Sequence, residues 1–341
     1  MHSVVVQKLR PHSIVTAKIA IFLLFRSLIV IILAKITVIY SDYTYMEQKK
    51  LRFALFGNVY QERKSAAVQK FLAIVAERGA ELVMPSVFHD FLVNGLKINV
   101  PPCDIIDDSD FDADYVVCMG GDGTFLDVAS RVGGKQIPII GINTGRLGFL
   151  ASFSPDNIEA VMADVYAGQL GIESHSVLQL SCDELELEGY PYALNEIAIL
   201  KHDISSMIGV HASINDEYLT TYQADGLIVG TPTGSTAYSL SVGGPIVVPQ
   251  SQTITLTPVA PHSLNMRPLV LCDDCEIKLR VESRSRSFLI SIDGRSQSYR
   301  DNLHLRVRRA PYDVKVVTHP DQSYFSTLRR KMMWGANLFK S

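Results

Sequence analysis

YVVCMGGDGTFLDVAS, residues 115–130, joins an apolar run to a glycine-rich loop and then to a helical pattern. The apolar run predicts a buried strand, and the residues after the loop repeat with the period of an amphipathic helix. Glycines let the backbone approach a pyrophosphate, and the N-terminus of the following helix favours an anion. The Lys of a P-loop is absent, so the stretch predicts phosphate handling without a P-loop.

Asp122 lies in the middle of this loop, among the backbone donors. A carboxylate there would repel phosphate unless it takes a proton from an attacking hydroxyl or holds Mg²⁺. An Asp-Gly pair by itself is common in tight turns. Between an apolar strand and an amphipathic helix, however, the sequence GGDGT favours a functional Asp122.

The chain around this loop alternates strand and helix patterns. LRFALF (51–56), AELVM (80–84) and IPIIGINTG (137–145) read as strands, and residues 62–78 place apolar side chains on one helical face. Ser154 followed by Pro155 predicts another helix start. The first half is therefore predicted to be a doubly wound, Rossmann-like α/β domain.

After about residue 171 the pattern changes to a period of two. CEIKLRVES (275–283), RSFLISIDG (286–294) and HLRVRRA (304–310) alternate apolar and polar residues. This predicts an all-β domain with two packed sheets, a β-sandwich. The resulting division is an apolar N-terminal extension (1–45), an α/β domain (46–170), an all-β domain (171–323) and a helical C-terminal tail (324–341).

Composition limits the class of protein. Of 341 residues, 47% are hydrophobic and 20% are charged, as in a globular protein. The formal net charge of -3 provides no overall electrostatic attraction for nucleic acid. Five cysteines without framework spacing indicate reduced thiols and a cytoplasmic location. Cys272 and Cys275 form a lone C-x-x-C pair, which we interpret as a turn between two strands because no second pair completes a zinc site.

The N-terminus is unusual. Residues 14–40 are apolar, but Lys18, Arg26 and Lys35 interrupt them and are costly at bilayer depth. Our hypothesis is that Met46 is the true start and that the preceding residues are an upstream translation artefact. The alternative is a membrane anchor, so a membrane partner is expected only if the extension is genuine.

Three further stretches carry polar groups that packing alone does not require. GINTGRLGFL (141–150) places Asn143 at the end of a strand, where ligands of open α/β sheets bind. YALNEIAILK (192–201) carries a polar pair in an apolar segment, which favours a ligand or a structural network equally. ADGLIVGTPTGSTAYSLSVGGP (224–245) is dense in hydroxyls and leads into a predicted helix.

These stretches, together with PHSLNMRPLV (261–270) and SIDGR (291–295), resemble the motifs of the NAD kinase family in their order, over about residues 51–335. GGDGT alone is shared with diacylglycerol and sphingosine kinases. The resemblance implies the NAD kinase/diacylglycerol kinase-like fold and transfer of the γ-phosphoryl group of ATP, or in some members of polyphosphate, to the 2′-hydroxyl of the adenosine ribose of NAD. It also implies Mg²⁺ or another divalent metal and a homodimer or homotetramer, while no metal ligand is fixed by the sequence.

The resemblance also implies roles for individual residues. Asp122 would be the general base, Asn195 and Glu196 would hold the adenosine part of the acceptor, and Phe149 would pack on adenine. Asp225 would accept from the nicotinamide amide. The remaining nucleotide-binding candidates are Gly120, Gly121, Gly123, Thr124, Asn143, Thr233, Thr236, Ala237, Tyr238 and Arg295.

Two positions depart from the family pattern, and two other classes of function stay open. Gly230 stands where a Ser is more usual, and Gln223 stands where an Arg is often seen; neither is a proposed catalytic group. A lipid kinase of the GGDGT superfamily is one alternative, to which the apolar N-terminus gives slight support. A non-catalytic NAD sensor is the other, and the presence of Asp122 argues against it.

Overall fold

A computed structural model describes residue 35 and residues 50–58, 65–107, 109–145, 148–203, 206–320 and 323–334. The chain divides into two compact units, residues 1–50 and 51–341, and the elements below belong to the second. Our hypothesis about Met46 concerns residues outside the described ones. Among the described residues, no helix has the length and apolar character needed to cross a membrane.

The first half of the second unit is a parallel sheet covered on both faces. Its strands are β1 (Arg52–Gly57), β2 (Glu81–Pro85), β3 (Asp104–Ile106), β4 (Tyr115–Gly120) and β5 (Ile139–Asn143). Its helices are α1 (Ser65–Glu77), α2 (Ser86–Asp90), which a π-helical turn extends over Phe91–Gly95, α3 (Asp122–Val132) and α4 (Ile158–Ala167). The strand order is β3-β2-β1-β4-β5.

Alternate residues of each strand face opposite layers, which explains why the strands are apolar throughout. Phe53 of β1 packs with Phe71 of α1 in one core, whereas Ala54 packs with Phe125 of α3 in the other. The Ser154 hydroxyl accepts the Asp156 N–H at the start of a 3₁₀ turn, Pro155–Asn157, that leads into α4. The predicted doubly wound arrangement is confirmed.

The second half consists of two packed sheets. Its strands are β6 (Gly171–Cys182), β7 (Tyr192–Ala193), β8 (Glu196–Lys201), β9 (Ile208–Ile214), β10 (Glu217–Ala224), β11 (Gly226–Gly230), β12 (Thr253–Val259), β13 (Leu269–Cys272), β14 (Ile277–Ser283), β15 (Ser287–Ile292), β16 (Arg295–Arg300) and β17 (His304–Thr318). One sheet has the order β13-β12-β11-β8-β15-β16, and β10-β9-β14-β17 lie in the other. Apolar side chains such as Ile199, Val229 and Leu279 fill the space between them.

Strand β17 joins the two halves. Its first part pairs with β14, and Val316 near its end pairs in parallel with Ile139 of β5. Strand β6 runs antiparallel to β17 along most of its length. One of the two packed sheets is therefore continuous with the parallel sheet, and the predicted boundary near residue 171 stays a prediction.

The remaining elements are short. A 3₁₀ turn, Thr233–Thr236, precedes the four-residue helix α5 (Tyr238–Ser241), and α6 (Tyr324–Met332) ends the described chain. The helix predicted after the hydroxyl-rich run is thus only one turn long, because Gly243 adopts a positive φ of 86° two residues after it ends. Cys272 and Cys275 flank the turn between β13 and β14, as predicted.

Candidate active site

The GGDGT loop connects β4 to α3 and leaves its backbone accessible. Gly121 caps the helix in an extended conformation, and a Cβ added at Gly121 or Gly123 would meet no heavy atom within 4 Å. Gly120 is different, because a Cβ there would lie 2.3 Å from the Thr124 hydroxyl oxygen. The loop therefore offers an open helix N-terminus of the kind that binds anions.

The Asp122 carboxylate holds a second loop. Its Oδ2 accepts the N–H of Phe149 at 2.8 Å, and its Oδ1 accepts the N–H groups of Leu150 and Ala151 at 3.0 Å each. A Cβ added at Gly148 would lie 1.9 Å from Asp122 Oδ1, so only glycine fits there. Three charge-assisted hydrogen bonds fix the carboxylate at the start of α3.

Asn143 ties the same loop to the end of β5. Its side chain is buried; Oδ1 accepts the Gly145 N–H at 2.6 Å, and Nδ2 donates to the Ala151 carbonyl at 3.2 Å. Both amide functions are therefore used within the protein, and Asn143 supports the loop instead of presenting a free polar group. Arg146 and Leu147 of the same stretch lie outside the described residues.

A second carboxylate, Asp293, repeats this arrangement in the turn between β15 and β16. Its Oδ2 accepts the Leu194 N–H at 2.7 Å, and its Oδ1 accepts the N–H groups of Asn195 and Glu196 at 2.8 and 3.1 Å. Burial raises the pKa of Asp293, and the three N–H bonds oppose that shift. Asp293 thus fixes the backbone of the predicted Asn-Glu pair.

Glu196 is itself buried and close to Asp293. Only 8% of the residue is exposed, and Oε2 has no hydrogen-bond partner. Burial raises the pKa of Glu196 to about 7, with a further contribution from the negative charge of Asp293 and an opposing N–H bond from Tyr238. A buried carboxyl oxygen without a hydrogen-bond partner lowers the stability of the fold. Glu196 is therefore a candidate ligand-binding group.

The hydroxyl-rich run packs directly on this pair. The Thr231 N–H donates to the Asn195 carbonyl at 2.9 Å, and the Thr231 hydroxyl donates to the Leu194 carbonyl at 2.6 Å while accepting the Gly234 N–H at 3.1 Å. A Cβ on Gly234 would lie 2.0 Å from the Asn195 carbonyl oxygen. The two stretches therefore contact each other mainly through the backbone of Leu194 and Asn195.

The next residues of the run have unequal roles. The buried Ser235 hydroxyl accepts the Val247 N–H at 3.0 Å and donates to the Val247 carbonyl at 3.1 Å, which makes it structural. The Thr236 hydroxyl reaches only the Thr233 carbonyl, at 3.4 Å. Tyr238 is 36% exposed, so its side chain is available to a ligand.

The Asp122 loop and the Asn195–Glu196 backbone adjoin one apolar core. Leu150, next to the Asp122 contacts, and Leu194, next to Asn195, both belong to the cluster around Phe125. The two carboxylate-fixed loops thus adjoin the same buried core. This places the glycine-rich loop and the Asn-Glu pair in one region of the molecule.

Within a single chain, Asp225 lies away from this region. Gly226 at one end of β11 pairs with Leu200, whereas Gly230 at the other end pairs with Glu196. Four residues of strand separate the two ends by about 14 Å. Asp225 forms an ion pair there with Lys201, at 2.8 Å. Within one chain, Asp225 therefore lies at the opposite end of β11 from Thr233 and Tyr238, and its implied role stays a prediction.

Two other candidates have partners within the protein. The centroids of the Phe149 and Tyr324 rings lie 6.2 Å apart, and the Lys331 ammonium lies 4.6 Å from the centroid of the Phe149 ring. Helix α6 therefore packs on the ring that was expected to contact adenine. The Arg295 guanidinium donates to the carbonyls of Ile292 and Tyr192 at 3.1 and 3.0 Å. Arg295 therefore anchors the turn that carries Asp293.

Sequence reasoning missed His175. This residue lies on β6, is 5% exposed and places Nδ1 2.9 Å from the Thr233 hydroxyl. No sequence signal singles it out, because one His in an alternating strand usually fills a core position.

The fold and the site define a class: a nucleotide-dependent phosphotransferase in which a doubly wound domain carries a GGDGT loop and a β-sandwich carries a hydroxyl-rich run. Residues 96–170 match the family model of the ATP-NAD kinase N-terminal domain, and residues 194–319 match that of the C-terminal domain. The chain belongs to the NAD kinase family.

Relatives of known name support this assignment. The chain is 57% identical to an NAD kinase of Bacteroides fragilis over 287 residues, which cover 84% of this chain and 99% of that protein. It is 44% identical to an NAD kinase of Porphyromonas gingivalis over 285 residues, 84% of this chain and 98% of that protein.

Solved structures share the fold. Yeast NADH kinase, crystallised with NADH, superposes with a TM-score of 0.78 at 23% identity, covering 86% of this chain and 91% of that one. An NAD kinase from Archaeoglobus fulgidus in complex with ATP gives a TM-score of 0.60 at 24% identity, covering 83% and 99%.

Proposed function

We propose that this member of the family transfers the γ-phosphoryl group of ATP to the 2′-hydroxyl of the adenosine ribose of NAD, giving NADP. The observation that carries the proposal is that the Asp122 loop and the backbone of Asn195 and Glu196 adjoin the same buried core, to which Leu150 and Leu194 both belong. The names of the curated relatives supply the reaction. Phosphoryl transfer depends mainly on positioning and charge stabilisation, and both loops are rigidly held.

In this proposal Asp122 takes the proton of the ribose hydroxyl. A carboxylate has about four lone-pair sites, and three of them accept the N–H groups of residues 149–151, so one remains for a substrate hydroxyl. The open backbone at Gly121 and Gly123 would face the phosphate oxygens.

The acceptor would be held on the other side of the site. We propose that the buried Glu196 carboxyl and the Asn195 amide bind ribose or base, since Glu196 Oε2 lacks a partner in the protein. Thr233, Thr236, Ala237 and Tyr238 would complete that side. We assign no direct NAD contact within one chain to Asp225, which pairs with Lys201, to Phe149, whose ring contacts α6, or to Arg295, which anchors the Asp293 turn.

A divalent metal would enter with the nucleotide. The described residues contain no cluster of three or more His, Cys, Asp or Glu side chains suited to hold a metal ion. Mg²⁺ in phosphotransferases is usually bound by substrate phosphates and few protein groups, so ATP oxygens would supply most of its ligands. The cytoplasmic location and the homodimer or homotetramer implied by the resemblance stay predictions.

The test is a product analysis with the full chain, NAD, ATP and Mg²⁺. We expect a product with the mass of NADP that a strictly NADP-dependent dehydrogenase reduces, because that dehydrogenase recognises the 2′-phosphate. Parallel reactions contain diacylglycerol or a sphingoid base in place of NAD. Phosphorylation of the lipid alone would support the lipid kinase alternative, and NAD binding without any product would support the sensor.

A further inference from the structure

His175 connects the hydroxyl-rich run to a charged group. Its Nδ1 lies 2.9 Å from the Thr233 hydroxyl oxygen, and its Nε2 lies 3.6 Å from Oε2 of Glu173 on the same strand. Both His175 and Thr233 are more than nine-tenths buried. Glu173 in turn accepts a hydrogen bond from Gln250 at 2.9 Å, so β6 holds both ends of the segment 233–250.

Other charged groups around the ring are engaged elsewhere. Val314 of β17 lies opposite His175, and of its neighbours Lys315 donates to Ser174 at 2.7 Å while Asp313 pairs with Arg309 at 3.0 Å. Among the described residues, Glu173 is therefore the charged group that faces the imidazole. The His175 imidazole also lowers the pKa of the Glu173 carboxyl.

The direction of the Thr233 hydrogen bond depends on the protonation of the ring. In the neutral tautomer that points Nε2–H at the Glu173 carboxylate, Nδ1 accepts from the Thr233 hydroxyl and leaves the oxygen lone pairs for another donor. In the imidazolium form Nδ1–H donates to Thr233, and the hydroxyl hydrogen becomes free to donate. One proton on His175 thus frees the Thr233 hydroxyl hydrogen for a ligand and occupies one of the two lone pairs of its oxygen.

We propose that His175 is a positioning residue for dinucleotide binding, whose protonation state sets whether the Thr233 hydroxyl can donate a hydrogen bond to NAD. This proposal rests on the proposed function, in which Thr233 belongs to the NAD-binding run. A phosphate or carbonyl oxygen of NAD only accepts hydrogen bonds, so it would pair with Thr233 in the protonated state of His175 and not in the neutral one, and the two states would bind NAD unequally. A neutral hydrogen bond at this position changes affinity by about two- to tenfold.

The first experiment measures the Kd for NAD by calorimetry between pH 5.5 and pH 8.5. We expect the parent and Thr233→Ser, which keeps the hydroxyl, to show a pH-dependent component of about two- to tenfold that is absent from Thr233→Val and His175→Asn. Titration of Glu196 affects all four proteins alike, so the difference between them reports His175. Identical pH profiles in the parent, His175→Asn and Thr233→Val would overturn the proposal.

A second experiment observes His175 directly. Imidazole NMR signals of the parent chain are followed through the same pH range with and without NAD, and the His175 signal is assigned by its absence from His175→Asn or by its contact with Thr233. Because linkage is reciprocal, NAD must alter the titration of His175 if His175 alters the affinity for NAD. An unchanged His175 titration in a protein that binds NAD would overturn the positioning role alone, whereas no NAD binding at any pH would contradict the proposed function beneath it.

Discussion

Asp122 and Asp293 make the same contact on two separate loops: each carboxylate accepts the N–H groups of three consecutive residues. Asp122 holds residues 149–151, and Asp293 holds residues 194–196. Three successive N–H groups can point at one carboxylate only if the backbone curls around it, so each aspartate fixes a loop conformation. Leu150 on one curled loop and Leu194 on the other belong to the same buried core, and the proposed site depends on both loops.

The first prediction concerns Gly148, whose added Cβ would lie 1.9 Å from Asp122 Oδ1. Gly148→Ala should force the loop away from the carboxylate, lowering the free energy of unfolding by about 1–3 kcal/mol. A shift of the loop by about 1 Å should also lower kcat about 100-fold. Urea unfolding and steady-state kinetics check the two effects.

Gly121→Ala is the matched control for stability. A Cβ there meets nothing within 4 Å, so its free energy of unfolding should stay within about 0.5 kcal/mol of the parent value. Equal stability of Gly148→Ala and Gly121→Ala would show that the Asp122 contact does not restrict position 148.

The second prediction concerns Asp293. Asp293→Asn replaces one carboxylate oxygen by an NH₂ group, which would face a backbone N–H donor and leave it unpaired. The unfolding free energy should fall by about 2–4 kcal/mol, since hydrogen bonds to a charged group are stronger than neutral ones. The exposed Asp274→Asn serves as the control, and a loss no larger than that control's would contradict the structural role of Asp293.

The third prediction concerns Thr231, whose hydroxyl donates to the Leu194 carbonyl and accepts the Gly234 N–H. Thr231→Val keeps the shape but leaves two buried groups without partners, at a cost of about 1–3 kcal/mol each. Thr231→Ser keeps the hydroxyl and should retain most of the stability. Thermal unfolding of the three proteins tests this, and equal melting temperatures for the Val and Ser variants would contradict it.

The fourth prediction uses the pH dependence of stability. The pKa of Glu196 is about 7 in the folded protein against an ordinary value of 4.5, so the folded state binds this proton more tightly than the unfolded state. The proton on Glu196 therefore stabilises the folded state. This contribution is complete below about pH 4.5 and is lost as the pH rises through 7. At 1.36 kcal/mol per pKa unit, the loss is at most about 3 kcal/mol.

Glu196→Gln should remove that dependence. We expect unfolding free energies at pH 5 and pH 8 to differ less in Glu196→Gln than in the parent, whereas the exposed Glu186→Gln should follow the parent. If Glu196→Gln follows the parent as well, another group is responsible for the pH dependence.

The sequence predicted the parts of the fold that depend on local pattern. Buried strands and the helix faces of the first half follow from apolar periodicity, and so does the alternation of the second half. The continuity through β17 was not predictable, because Val316 and Ile139 are brought together only by long-range strand pairing. Whether two strands pair is decided by tertiary packing, which leaves no local signal.

The site shows the same limit. The resemblance singled out Asp122 and the Asn-Glu pair, but Gly148 became informative only when its distance to Asp122 was known. Asp225 belongs to the same stretch as Thr233, yet the intervening strand carries it to the opposite end of the sheet. His175 was missed because its importance comes from a contact 58 residues away along the chain.

The most direct test of the central claim is the turnover of NAD by Asp122→Asn beside the parent chain, with ATP and Mg²⁺. Loss of a general base typically lowers the rate by about 10²–10⁴-fold. We predict a kcat reduced to that extent while NAD still binds, because the groups proposed to hold NAD lie on other segments, residues 195–196 and 233–238. Turnover of Asp122→Asn close to that of the parent would contradict the assignment of Asp122 as the base.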